Sequence, residues 1–189
     1  MAASDPRAVS GDVAVRTAFK EWAAICRALA SGRQDVILRK GGIVEQGGAF
    51  RPEHARFLLL PTFLHQSAES LVPEARDLLE RIDDDRPAEG SVVFTHVADV
   101  RAAHRITKRG ALDAFRRRHV WAESVVDERF HRWQDELHVL EVTVTPLPSP
   151  VMLPWRESYG GCRPVAIAAK NQTGLEGSFP CNDAVSGRS

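Results

Sequence analysis

Apolar positions first recur along the chain at a helical spacing. Val15, Phe19, Trp22, Ile25, Cys26 and Leu29 fall three or four residues apart, while Arg16, Lys20 and Arg27 take the opposite face. Gly32 follows the last apolar position, where a C-terminal glycine belongs, so the pattern predicts a helix that starts at Val13 and stops before Gly32. The spacing then shortens. Residues 35–40 are a brief apolar run closed by Arg39 and Lys40, and they read as a strand. The glycine pairs at 41–42 and 47–48 bracket residues 43–46, which predicts tight turns and a small meander. Residues 57–60 are apolar throughout, as in a strand covered on both faces, and Pro61 ends the run.

Residues 68–82 return to a helical period, with Leu71, Ala75, Leu78, Leu79 and Ile82 inward. Residues 83–90 contain three consecutive aspartates, Pro87 and Gly90, and read as a solvated loop and candidate flexible joint. A strand follows at 91–98, running on to Val100. Leu112 and Phe115 mark one side of a short helix. Ser124 and Asp127 have capping-box spacing, with Asp in place of the usual Glu or Gln, and predict a further helix through Val126, Phe130 and Trp133. Leu140, Val142 and Val144 alternate with Glu141, Thr143 and Thr145, the mark of a half-exposed strand. Pro146, Pro148, Pro150 and Pro154 predict an extended crossing, and residues 165–169 a last strand. Helices and strands are interspersed without βαβ alternation. The expected fold is therefore α+β, a curled mixed sheet or partial β-barrel flanked by helices. Residues 1–12 read as a disordered arm, 13–169 as one domain with the joint at 83–90, and 170–189 as a disordered tail.

Composition narrows the function classes. Of 189 residues, 25 are Lys or Arg and 25 are Asp or Glu, so no global field draws in nucleic acid or anionic lipid. Any such partner has to be recognised by a local patch. Cys26, Cys162 and Cys181 are scattered, without CxxC or Cys/His spacing, which points away from zinc and from a disulfide framework. Residues 1–12 lack an apolar leader, and no run approaches membrane-spanning length. The expectation is a cytoplasmic protein with no membrane partner.

Two groups of residues carry candidate chemistry. The first is a ligand-binding cluster of Lys40, Gly41, Gly42, Glu45, His54, His65 and Gln66, gathered at strand ends. A lysine beside glycine-turn amides suits phosphate or carboxylate, and His65 with Glu45 suits general-base or metal-assisted work. The plain structural alternative is a surface Lys40–Glu45 ion pair on a hairpin, worth little. The second is the basic segment of Arg101, Arg105, Lys108, Arg109, Arg116, Arg117 and Arg118, with Asp113 its one acid, which suits phosphate contacts and salt-dependent nucleic-acid binding. Its structural alternative is internal pairing with the acidic stretch 69–89. The turn at 159–162 could hold a reactive Cys162, but nothing places a base beside it, and the four tryptophans read as core or crossing anchors.

Several of these segments also resemble a bacterial domain family of unknown function. The resembling stretches are residues 19–23, 38–43, 57–62 with His65 and Gln66, 121–130, 147–150 and 159–162. The resemblance spans roughly residues 15–168, with Pro164 and Val165 departing from the Ser-Trp that the family favours. It implies no assigned activity, catalytic residue or cofactor. Some relatives are joined to restriction-endonuclease-like domains, which implies a setting of DNA restriction or defence and a restriction-type nuclease as partner. Together these features favour a non-catalytic module binding phosphate, DNA or RNA. The alternatives are a metal-assisted hydrolase or nuclease using Glu45, His54 and His65, and a structural adaptor without a ligand. A nucleic-acid-binding barrel of the kind associated with pseudouridine synthases is a fold analogy only.

Overall fold

The computed structural model describes residues 15–41, 43–46, 49–159 and 165–167, and of 43–46 and 49–51 it describes the backbone alone. The helix expected from Val13 begins only at Ala23. Before it, Thr17–Trp22 is a strand, β1; Ala23–Ala30 is α1. Strand β1 pairs in parallel with β5 (Arg56–Thr62), in the register Ala18↔Leu58 to Trp22↔Thr62. Phe19 packs on one side of β1 and Ala18 on the other, in two different apolar clusters. A strand buried on both faces has no polar face to reveal its period of two. The three-residue step from Phe19 to Trp22 therefore mimics a helix.

Strand β2 (Val36–Arg39) follows α1, and Ile43–Gln46 (β3) pairs antiparallel with Ala49–Pro52 (β4) as a separate hairpin. Strands β6 (Ser91–Ile106) and β7 (Leu137–Pro154) are the long antiparallel pair, and β8 is Val165–Ala166. The six-stranded mixed sheet has the order β2-β7-β6-β5-β1-β8. In a flat sheet, β2 and β1 would lie four spacings apart, about 19 Å. Yet Arg39 on β2 reaches Glu21 on β1 at 3.3 Å and covers the Phe19 ring at 4.1 Å. The sheet is thus strongly curled, as an α+β fold with a curled mixed sheet requires. Register breaks in β6 between Phe94 and His96, and between Val100 and Ala102, increase its coiling. The prolines expected to form a crossing lie within β7, opposite and beyond the first break.

The larger core lies between the curled sheet and α1, α2 (Glu123–His131), and includes Phe19, Ile37, Phe57, Trp121 and Leu140. The smaller core covers the other face, with Ala18, Leu58, Leu60, Phe94 and Tyr159. Phe57 and Leu59 enter the first and Leu58 and Leu60 the second, so β5 is covered on both faces as its sequence indicates. The helical period at 68–82 resolves into 3-10 turns at Ala68–Ser70 and Pro73–Leu79, and Arg109–Arg118 is likewise 3-10. Helix α2 starts after Ala122, without a side-chain cap, so Ser124 is not its N-cap. Arg27 of α1 donates to Asp85 of segment 83–90 at 2.6 Å, and to the carbonyls of Leu78 and Glu80 just before that segment. The arm and the tail lie outside the described residues. Among the described residues no helix is long and apolar enough to cross a membrane.

Candidate ligand-binding cleft

The described members of the first candidate cluster each engage a different part of the fold. Lys40 donates its three ammonium protons to the carbonyls of Phe130 (2.8 Å), Gln134 (2.6 Å) and Glu136 (2.6 Å), closing the C-terminal end of α2. Partial burial pulls its pKa down, against the raising fields of Glu136 and Asp135. Gln66 works at the other helix: its Oε1 accepts from the Ala24 amide at 2.9 Å and caps α1 from outside the chain segment. His54 meets the Phe19 ring edge-on at 6.0 Å, and His65 is exposed with a φ of 59°. Gly41 has a φ of 149°, while Gly42 and the Glu45 side chain lie outside the described residues. Among the described residues no hydrogen bond or ion pair joins Lys40 to His54, His65 or Gln66, and no cluster of three or more His, Cys, Asp or Glu could hold a metal ion.

The basic segment is largely neutralised from within. Arg105 pairs with Glu136 at 2.5 Å, Arg109 with Glu123, Asp127 and Asp113, and Arg116 with Glu123 at 3.5 Å. Arg118 bridges Asp35 (2.8 Å) and Glu141 (2.9 Å), bonds that raise its pKa. Arg101 donates to the Thr143 hydroxyl at 2.9 Å. Lys108 and Arg117 have no ion-pair partner among the described residues. The acids are Asp35, Asp113, Glu123 and Asp127 of α2, Glu136 just before β7 and Glu141 of β7, rather than residues of 69–89. That stretch has cations of its own: Arg33 on Asp77, Arg81 on Asp84 and Arg86 on Asp83.

A buried polar network was not legible in the sequence. Glu21 is 9% exposed and pairs with Arg39 across the larger core. Burial raises its carboxyl pKa, opposed by Arg39 and Arg129. The Arg129 guanidinium lies 3.8 Å from the centre of the Trp121 ring, and Trp22 meets Trp121 edge-on at 5.0 Å. This assembly joins β1, β2 and α2 through charge and aromatic contact, and it reads as scaffold. Cys26, its neighbour, is a buried thiol with its pKa pushed well up by burial.

The open concavity lies on the other face of β1. A cleft of about 620 Å³ is bounded by the ends of β1, β5 and β6 and by the segment before β6. That size is typical of a small-molecule site. Its walls are mainly apolar, formed by Leu60, Pro61, Val92 and Val93. Lys20 enters it and donates to the Tyr159 carbonyl at 3.0 Å. Arg86 lies over Phe63 at 4.9 Å, held by Asp83. Trp155 is 53% exposed and its amide donates to the Gly90 carbonyl at 2.8 Å, which fixes its backbone beside the cleft. Of the tryptophans expected to be core or crossing anchors, Trp133 is 84% exposed and Trp155 stands at the end of the proline-rich stretch rather than in the core. The sequence signal for this site was faint: a lone Lys20 among buried neighbours, and a tryptophan after four prolines.

One family model matches residues 18–181, under the description domain of unknown function (DUF1802). A comparison with curated proteins gives no significant match. Similar solved structures include the ASCH protein of Zymomonas mobilis: 13% identity, TM-score 0.44, covering 75% of this chain and 87% of that one. Two point mutants of the same protein give TM-scores of 0.45 and 0.43, at 13% and 11% identity, covering 75% of this chain and 88% and 90% of theirs.

Proposed function

The chain belongs to the DUF1802 family, a domain of unknown function, and we propose that it is a non-catalytic module that binds a nucleotide unit of single-stranded nucleic acid in the cleft beside Lys20. The supporting observation is the composition of that cleft. Apolar walls and a half-exposed Trp155 suit the flat face of a base, and base–aromatic stacking is worth about 1–3 kcal/mol. Lys20 places positive charge at the same cleft, where a phosphate would follow the base, and Arg86, already paired with Asp83, adds to it against the one acid of the lining, Glu89. Apolar space, an aromatic plane and cations together select an anionic heterocycle over a purely apolar ligand. The restriction or defence setting and a nuclease partner draw no support from the cleft or the comparisons, and the proposal does not include them.

The test is binding of a labelled octauridylate, followed by fluorescence anisotropy at low salt. Trp155→Ala and Lys20→Met should each weaken binding about tenfold or more while leaving the circular dichroism unchanged. Equal affinity of Trp155→Ala and the unaltered protein, or no binding at 100 μM-scale protein (on the order of a weak non-specific complex), defeats the proposal.

A further inference from the structure

The cleft lies where two neighbouring strands part. The β5–β6 ladder runs from Arg56↔Asp99 to Leu58↔Val97 and stops, although β5 continues to Thr62 and β6 begins at Ser91. The cause can be read from the backbone. The Val100 amide donates to the Ala55 carbonyl at 2.8 Å, so residues 55, 57, 59 and 61 turn their peptide groups toward β6. Pro61 falls on that side and has no N–H to donate. On the facing strand, the register break between Phe94 and His96 removes the continuation.

The same alternation fixes what the parted strands present. The Trp155 amide donates to Gly90, and Val92 and Phe94 lie in register with Leu153 and Val151. Gly90, Val92 and Phe94 thus bond toward β7, and Ser91 and Val93 turn the other way, into the gap. The Ser91 amide is taken up by the Ala88 carbonyl at 3.1 Å. Val93 keeps an N–H and a C=O side by side on the gap, and it borders both the main cleft and a smaller hollow of about 320 Å³ on the opposite face of the sheet, against α1.

We infer that the Val93 peptide edge is a recognition element that reads the hydrogen-bonding edge of the bound base. This rests on the nucleotide reading of the cleft and adds to it the chemistry of selection. A base edge carries a donor next to an acceptor, the complement of one strand residue's N–H and C=O. A flat apolar ring without such an edge would leave the Val93 groups unpaired, so the cleft selects heterocycles over plain aromatics. Backbone recognition also makes the site tolerant of which base it holds, because each base offers such a pair.

The experiment uses matched mononucleotides on the full chain: uridine 5′-monophosphate against its N3-methyl analogue, and adenosine 5′-monophosphate against its N6,N6-dimethyl analogue. Faces and phosphate are kept within each pair, and the edge is blocked. The expected result is at least tenfold weaker binding of each methylated form, and a clearly larger loss for Val93→Pro than for Val93→Ala, which trims only the cleft wall. If Val93→Pro does not fold, the analogue pairs decide alone. Equal affinities within both pairs, while Trp155→Ala still weakens them, overturn the edge reading and leave the nucleotide reading standing. Equal losses for Val93→Ala and Val93→Pro also overturn it, since the side chain would then be responsible. If no nucleotide binds at all, or an extended peptide binds instead, both readings fall.

Discussion

Lys40 holds the segment after α2 in place. Its three bonds to Phe130, Gln134 and Glu136 are charge-assisted, of a type worth about 1.5–3 kcal/mol each when fully formed. Partial exposure reduces that, and Lys40→Met is expected to cost about 2–3 kcal/mol, measured by urea unfolding. Amide exchange should quicken at residues 131–136, where Trp133 holds a φ of 69° against the usual preference of a bulky side chain. An unaltered midpoint would show that these bonds are replaced by water at no loss. His119 gives a second test. It is 7% exposed, and its pKa is lowered first by burial, with Arg129 and Arg109 adding and Glu123 and the Trp121 backbone opposing. The unfolded histidine therefore takes up a proton at a higher pH than the folded one. Its contribution is complete above the ordinary value of 6.5 and is lost as pH falls from there toward the folded value. His96, also lowered by burial, acts in the same sense, and Glu21, raised by burial, acts in the opposite one. The clean readout is a difference: His119→Asn should flatten the decline in stability between about pH 7 and pH 5.5, and an unchanged slope would remove His119 from the account.

At the scale of elements, Pro61 and the register break in β6 together part the strands at the cleft. Pro61→Val restores the donor on the β6 side of β5. The expected outcome is a protein equally stable or up to about 1 kcal/mol more so, whose nucleotide affinity falls about tenfold (roughly 1.4 kcal/mol) as the strands close. Retained affinity would show that the gap has another cause. The same region explains which elements were legible. Strand β5 announced itself because all four residues at 57–60 are apolar, and β7 because Leu140, Val142 and Val144 alternate with polar neighbours. Strand β1 did not, because Lys20 faces the cleft and Glu21 the core, so both its charged residues point to places where apolar ones are the rule. The curled α+β sheet could be inferred from the order of elements. The cleft could not, since its existence depends on hydrogen-bond parity between strands about 35 residues apart in sequence. Lys40 and His65 looked like partners for the opposite reason: nearness in sequence near strand ends says nothing about which end of a curled sheet each one reaches.

For the molecule as a whole, charge compensation separates the two ways it could hold nucleic acid. Equal numbers of acidic and basic residues are spread so that Arg105, Arg109, Arg116 and Arg118 each meet a carboxylate within 4 Å. Many of these pairs are part-exposed and contribute little to stability one by one, but they cancel the field that would attract a phosphate backbone. A single strand releases counterions with a slope of about −0.7 per phosphate contacted. Binding through the cleft, with Lys20 as its cation and Arg86 adding at most one more contact because it is already paired with Asp83, predicts a plot of log K against log salt with a slope of about −0.7 to −1.4. Binding along the whole basic segment, with seven cations engaged, predicts a slope of about −5. Octauridylate titrations between about 50 and 200 mM salt, over which the Debye length falls by about half, distinguish these values easily. A steep slope that persists in Lys20→Met would move the interface away from the cleft and toward the seven cations of the segment 101–118.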